Sequence, residues 1–180
     1  MRNLLFSLLV FTVIIVTCPS GVFGAGPHDS LSCTGCHSIH DAKDDLIFAV
    51  KANKVAKNPK TKKPFKGVTA LCLGCHASSK QGGMDIKPIS SHKSHPFGIT
   101  KINNKVARVP KSLLRDGRFE CVSCHDPHPS NPNYKYLRVS TKGGAEMDRF
   151  CSLCHPAKVD KKHRTSTSKV FTSMDETKVK

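Results

Sequence analysis

Eight cysteines of the chain fall into four pairs of one form. They read Cys33-Thr-Gly-Cys36-His37, Cys72-Leu-Gly-Cys75-His76, Cys121-Val-Ser-Cys124-His125 and Cys151-Ser-Leu-Cys154-His155. Two thiols at this spacing can add across the two vinyl groups of one haem, and the histidine that follows can turn its imidazole onto the iron. Other chemistries also use paired cysteines. Zinc ribbons take two C-x-x-C pairs, thioredoxin-like sites take one beside a βαβ pattern, and exported proteins join pairs as disulfides. None of them asks for a histidine after every second cysteine. The spacing therefore predicts four covalently attached haem c groups, with His37, His76, His125 and His155 as the proximal iron ligands.

The chain has 10 histidines, so six remain: His28, His40, His92, His95, His128 and His163. Four irons need four more ligands if all are six-coordinate, and the supply exceeds that demand. Methionine is the alternative sixth ligand. Met84, eight residues past His76, is the one methionine placed for it, and packing is its plainer role. His40 follows His37 by three and His128 follows His125 by three, so both sites read C-x-x-C-H-x-x-H. A histidine so close cannot turn back onto the far face of the same iron. His40 and His128 are expected to ligate neighbouring haems, or else to be surface loop residues. His163 lies in a polar tail and is expected to be a bystander.

These features resemble the doubled CXXCH-motif family of multihaem c-type cytochromes. The resemblance rests on Pro27-His28-Asp29 ahead of the first motif and on C-x-x-C-H-x-x-H at Cys33–His40 and Cys121–His128. It also rests on His95-Pro96 between the second and third motifs, and covers residues 27–156. It implies His28, His40, His95 and His128 as distal ligands. It does not say which serves which haem, and His92 could replace His95.

Residues 1–24 read as a signal peptide, with Arg2 ahead of an apolar run from Leu4 to Val16 and Gly24 at the cleavage point. That run is too short to span a membrane. Cys18 leaves with the signal, unless it carries a lipid. Residues 25–157 form the expected tetrahaem domain, with haem-pair modules at about 27–80 and 92–157. Residues 158–180 read as a basic, disordered tail. The expected fold is mostly irregular, with short α-helices around the motifs and little β-structure. Leu46–Val50 and Tyr136–Val139 could each be a strand or a piece of helix. Ile99, Ile102, Val106 and Val109 have helical spacing, but Asn103-Asn104 could equally be a hairpin turn. Asp116-Gly117 signals a turn. With no Trp, two Tyr and 38% hydrophobic residues, four porphyrins must form the core of this small multihaem fold, and the apo chain is not expected to fold.

The formal charge is +16, and the segment 51–66 holds seven lysines and no acid. A basic balance can signal nucleic-acid binding, but an exported chain so poor in Tyr and Trp gives that no support. Steering toward acidic redox partners or anionic membrane surfaces fits better, against the plain alternative of a solvated charged face. The sequence thus predicts an exported electron carrier with low-potential bis-histidine haems, in the periplasm or on the outer-membrane surface. The resemblance suggests anaerobic or extracellular respiration, with acidic cytochromes or a membrane quinol-oxidising cytochrome as partners. A multihaem reductase with one open iron and a subunit of a cytochrome filament or other homo-oligomer are the competing expectations.

Overall fold

A computed structural model of the chain describes residues 26–89 and 95–173. The expected signal peptide, Cys18 and His92 lie outside the described residues. The described chain is mostly irregular, as its composition predicts. Its α-helices are α1 (Ser32–Cys36), α2 (Gly67–His76), α3 (Cys121–Cys124) and α4 (Met147–Cys151). Single 3-10 turns punctuate the rest. Paired backbone among the described residues is limited to isolated bridges, such as His37 with Phe48 and His125 with Leu137.

Each of the first three helices carries both cysteines of one motif and α4 carries Cys151 alone, and helix length follows the residues around them. α1 and α3 end where His37 and His125 turn to extended backbone at φ −119°, ψ 142° and φ −115°, ψ 142°. The two doubled motifs thus leave their helices in the same way. α2 is longer because an apolar run precedes its motif, burying Ala70, Leu71 and Leu73. Leu46–Val50 and Tyr136–Val139 become neither strand nor helix. Both are turns with left-handed residues, at Leu46 and Ile47 and at Lys135 and Tyr136. Residues 99–109 form no helix, and Ile99 bridges Phe119 rather than a strand across Asn103-Asn104. The Asp116-Gly117 turn is present, closed by the Arg115–Arg118 bridge.

The apolar interior is split in two. Ala56, Phe65, Ala70, Leu73 and Ala77 form one cluster around α2. Leu113, Val139 and Leu153 form another beside the fourth motif, with Phe150 and Val170 packed on it. The largest fully buried side chains are polar: Glu120, Asn131, Thr69, Thr141, Asp126 and Ser123. Glu120 caps α3 and also reaches α2. Its carboxylate accepts from Thr69 N (3.1 Å) and Arg118 Nε (2.6 Å), and its own N–H bonds Ser123 Oγ (2.9 Å). Gly67, at φ +60°, opens α2 where a Cβ would strike this carboxylate.

Two segments are more ordered than composition suggests. The lysine-rich stretch 51–66 is a pinned hairpin. Buried Asn53 donates to Leu73 O and Gln81 O, and buried Asn58 accepts from Lys60 N and Thr61 N. All seven lysines point outward and are exposed. Residues 158–173, expected as a disordered tail, lie against the domain. Phe171 N donates to Arg138 O (2.7 Å), Arg138 Nε donates to Phe171 O (2.9 Å), and Val170 joins the second cluster.

Candidate haem-binding site

All four motif histidines share one hydrogen bond. The Nδ1 atom meets a backbone carbonyl: His37 with Leu46 (3.1 Å), His76 with Ile86 (2.7 Å), His125 with Lys135 (2.9 Å) and His155 with Val106 (3.0 Å). A carbonyl only accepts, so Nδ1 carries the proton and the Nε2 lone pair is left for a metal. The same loops return a donor. The carbonyls of Cys36, Cys75, Cys124 and Cys154 accept from the N–H groups of Ala49, Ile86, Arg138 and Arg108. Each motif is thus gripped twice by one loop. Three of those loops bend through positive φ at non-glycine residues: Leu46 and Ile47, Asp85 and Lys87, Lys135 and Tyr136. Such backbone costs energy and persists where the surroundings enforce it.

The motif histidines face other histidines. His28 and His76 have ring centroids 5.8 Å apart, with planes at 48°. His37 and His128 lie 6.5 Å apart at 4°, and His95 and His155 lie 6.3 Å apart at 54°. A metal–imidazole bond is about 2 Å long and a ring nitrogen lies about 1 Å from its centroid, so two imidazoles trans on one metal sit about 6 Å apart. All three pairs match that span. His40 is exposed, and among the described residues no ring contact brings it opposite a motif histidine. His163 pairs with Asp148 instead. Met84 is exposed, with its sulfur 3.8 Å from Cys75 Sγ.

Each partner histidine has its own support. His28 is held by Tyr136, whose ring stacks on it at 5.2 Å. Tyr136 Oη accepts from His28 N (2.9 Å) and Asp29 N (3.2 Å) and donates to Asp29 Oδ1 (2.8 Å). Burial first, then the nearby His76, pushes the His28 pKa down and favours its neutral form. His95 is followed by Phe97, which stacks on buried Phe65 at 5.1 Å. Gly98 allows this approach, because its φ is +67° and a Cβ would meet the Phe65 ring. His128 Nδ1 meets buried Asp126 Oδ1 at 2.8 Å. Burial opposes ionisation of Asp126, but hydrogen bonds from His128 and Ser173 outweigh it and bring its pKa to about 2. The sequence singled out neither Tyr136 nor Asp126 as a support: Tyr136 acts across 108 residues, whereas Asp126 lies only two residues before His128.

The described cysteines are free thiols. Those of successive motifs neighbour one another. Burial and then Cys36 push the Cys75 thiol up, a hydrogen bond with Cys121 and then burial push Cys72 up, and burial followed by Cys154 pushes Cys124 up to about 12. Among the described residues no group of three or more His, Cys, Asp or Glu converges as a bare metal site would. The donors are instead arranged for a flat apolar ring held by its edge and its metal. Three of the four residues presenting the Nδ1 carbonyls fit such a face, because Leu46, Ile86 and Val106 are 49%, 50% and 57% exposed apolar side chains; the fourth is Lys135. His37, His76, His125 and His155 with their cysteines suit haem c chemically and geometrically.

No curated protein and no solved structure matches the chain. A family model described as the doubled CXXCH motif matches residues 114–160, which hold the third and fourth motifs. That segment therefore carries the paired haem c attachment motif of multihaem c-type cytochromes.

Proposed function

We propose that the protein is an exported tetrahaem c-type cytochrome that carries single electrons through a row of bis-histidine haems. The observation that carries this reading is the set of three histidine pairs at 5.8–6.5 Å, each joining a motif histidine to one from elsewhere in the chain. Haem c supplies a one-electron couple when bound. The chain's residues set its terms. Imidazoles on both sides keep coordination unchanged between oxidation states. The Nδ1 carbonyls fix each tautomer and raise ligand basicity, which favours the ferric state and low potentials. His128 belongs to the second module and His37 to the first, so one such site would tie the modules together. The resemblance leaves His40 as a further distal ligand, with His92 as the alternative to His95.

The order of neighbouring thiols supports haems following motif order from first to fourth. The cationic hairpin at 51–66 beside α2 is a docking face for an acidic redox partner, with peripheral contact to anionic lipid as a further use. Export to the periplasm or the cell surface, and a place in anaerobic respiration, complete the reading. Haem staining and the intact mass of protein purified from an exporting host test it. Four covalent haems on a chain beginning near Ala25 are expected, and fewer than four would overturn the tetrahaem assignment.

A further inference from the structure

We propose that Asp126 is a positioning residue that, through His128, sets the potential of the iron site between His37 and His128 below those of the His28–His76 and His95–His155 sites. The proposal rests on the bis-histidine reading. It starts from a difference in what the Nδ1 atoms face. Those of His37, His76, His125 and His155 face neutral backbone carbonyls. His128 Nδ1 instead faces a carboxylate, Asp126 Oδ1, at 2.8 Å.

The carboxylate is built in rather than incidental. Asp126 is fully buried, while Ser173 N donates to its Oδ2 and Ser173 Oγ to its Oδ1, each at 2.6 Å. Ser173 Oγ also lies 2.8 Å from His128 Nδ1, so serine, carboxylate and imidazole form a closed triangle. The Asp126 backbone N–H bonds Tyr136 O (2.8 Å), and its carbonyl accepts from buried Asn131 Nδ2 (2.9 Å). A buried charge is weakly screened. It draws the Nδ1 proton toward itself and gives the ring imidazolate character, which strengthens donation from Nε2. Stronger donation and nearby negative charge both favour ferric over ferrous iron. The site would therefore accept its single electron after the sites of the other two described pairs. The near-parallel rings of this pair, at 4°, also give it a spectroscopic label. Parallel imidazoles produce a more rhombic low-spin ferric spectrum than rings twisted by 48° or 54°.

The test is an EPR-monitored redox titration of the holoprotein and of its Asp126→Asn and Asp126→Glu variants. In the wild type the rhombic signal should disappear on reduction after the signals of the two twisted pairs. In Asp126→Asn it should move to higher potential by about tenfold in the reduction equilibrium, about 59 mV for one electron. The other three signals should stay in place, and Asp126→Glu should restore the low value. If Asp126→Asn does not mature, the wild-type order alone decides. A rhombic low-spin signal that is reduced before the others, or that Asp126→Asn leaves unmoved, overturns the proposal. High-spin iron in place of these signals would overturn the bis-histidine reading itself.

Discussion

His37 and His128 face each other at 6.5 Å with ring planes only 4° apart, although 91 residues separate them in the chain. One belongs to the first C-x-x-C-H and the other follows the third. Their alignment joins the opening motifs of the two modules, and each ring is held by its Nδ1 atom, His37 by the Leu46 carbonyl and His128 by the Asp126 carboxylate. The other two described pairs are tilted, so the sites are alike in span and differ in orientation.

Tyr136 governs the neighbouring site. Its hydroxyl makes three hydrogen bonds to the His28–Asp29 segment. Tyr136→Phe keeps the ring stack and removes all three, at a cost of about 1–3 kcal/mol. The His28 side should then open more often. Cyanide binding to the ferric protein, followed by absorbance, should become measurable at one haem of the variant and not in the wild type.

Glu120 ties α2 to α3 from a fully buried position. Glu120→Gln removes the charge facing Arg118 and weakens the bond from Thr69 N. Breaking a buried ion pair from one side costs about 3 kcal/mol. Thermal unfolding of the haem-loaded variant should shift down by several degrees, with its haem content unchanged.

The resemblance implies His40 as a distal ligand and leaves His92 as the alternative to His95. Replacing each with alanine separately should leave one variant fully low-spin and give the other a single high-spin haem. Ferric absorbance and EPR read this directly. If neither substitution creates a high-spin haem, the sixth ligand comes from elsewhere.

The lysine hairpin should act on rate rather than on potential. Changing Lys54, Lys57 and Lys60 to glutamine removes three exposed charges and leaves the Asn53 and Asn58 supports in place. Stopped-flow reduction by an acidic electron donor should slow severalfold at low salt. The difference should vanish at high ionic strength, where the screening length falls to about 3 Å.

The attachment chemistry is legible in the sequence because it resides in covalent spacing. The irregular fold is legible because the composition cannot fill a core. The grip on each motif is not, since it uses backbone carbonyls and left-handed turns at Leu46 and Lys135, residues that carry no turn signal. The hairpin at 51–66 reads as a plain basic loop because its anchorage comes from the Asn53 side chain, which bonds backbone 20 and 28 residues away. Residues 158–173 read as disordered because their few anchors, Val170, Phe171 and Ser173, are scattered among polar residues. Tyr136 lies in a short apolar run, and nothing local announces its hold on His28 across 108 residues.

Low-temperature EPR of the fully ferric protein, with haem and iron counted on the same sample and cyanide added afterwards, decides whether every iron is closed by two imidazoles. Four low-spin haems that ignore cyanide are predicted, with the His37–His128 site markedly more rhombic than the two twisted pairs. A high-spin, cyanide-binding haem in the native protein would contradict closed bis-histidine coordination and point instead to an open iron that meets a substrate.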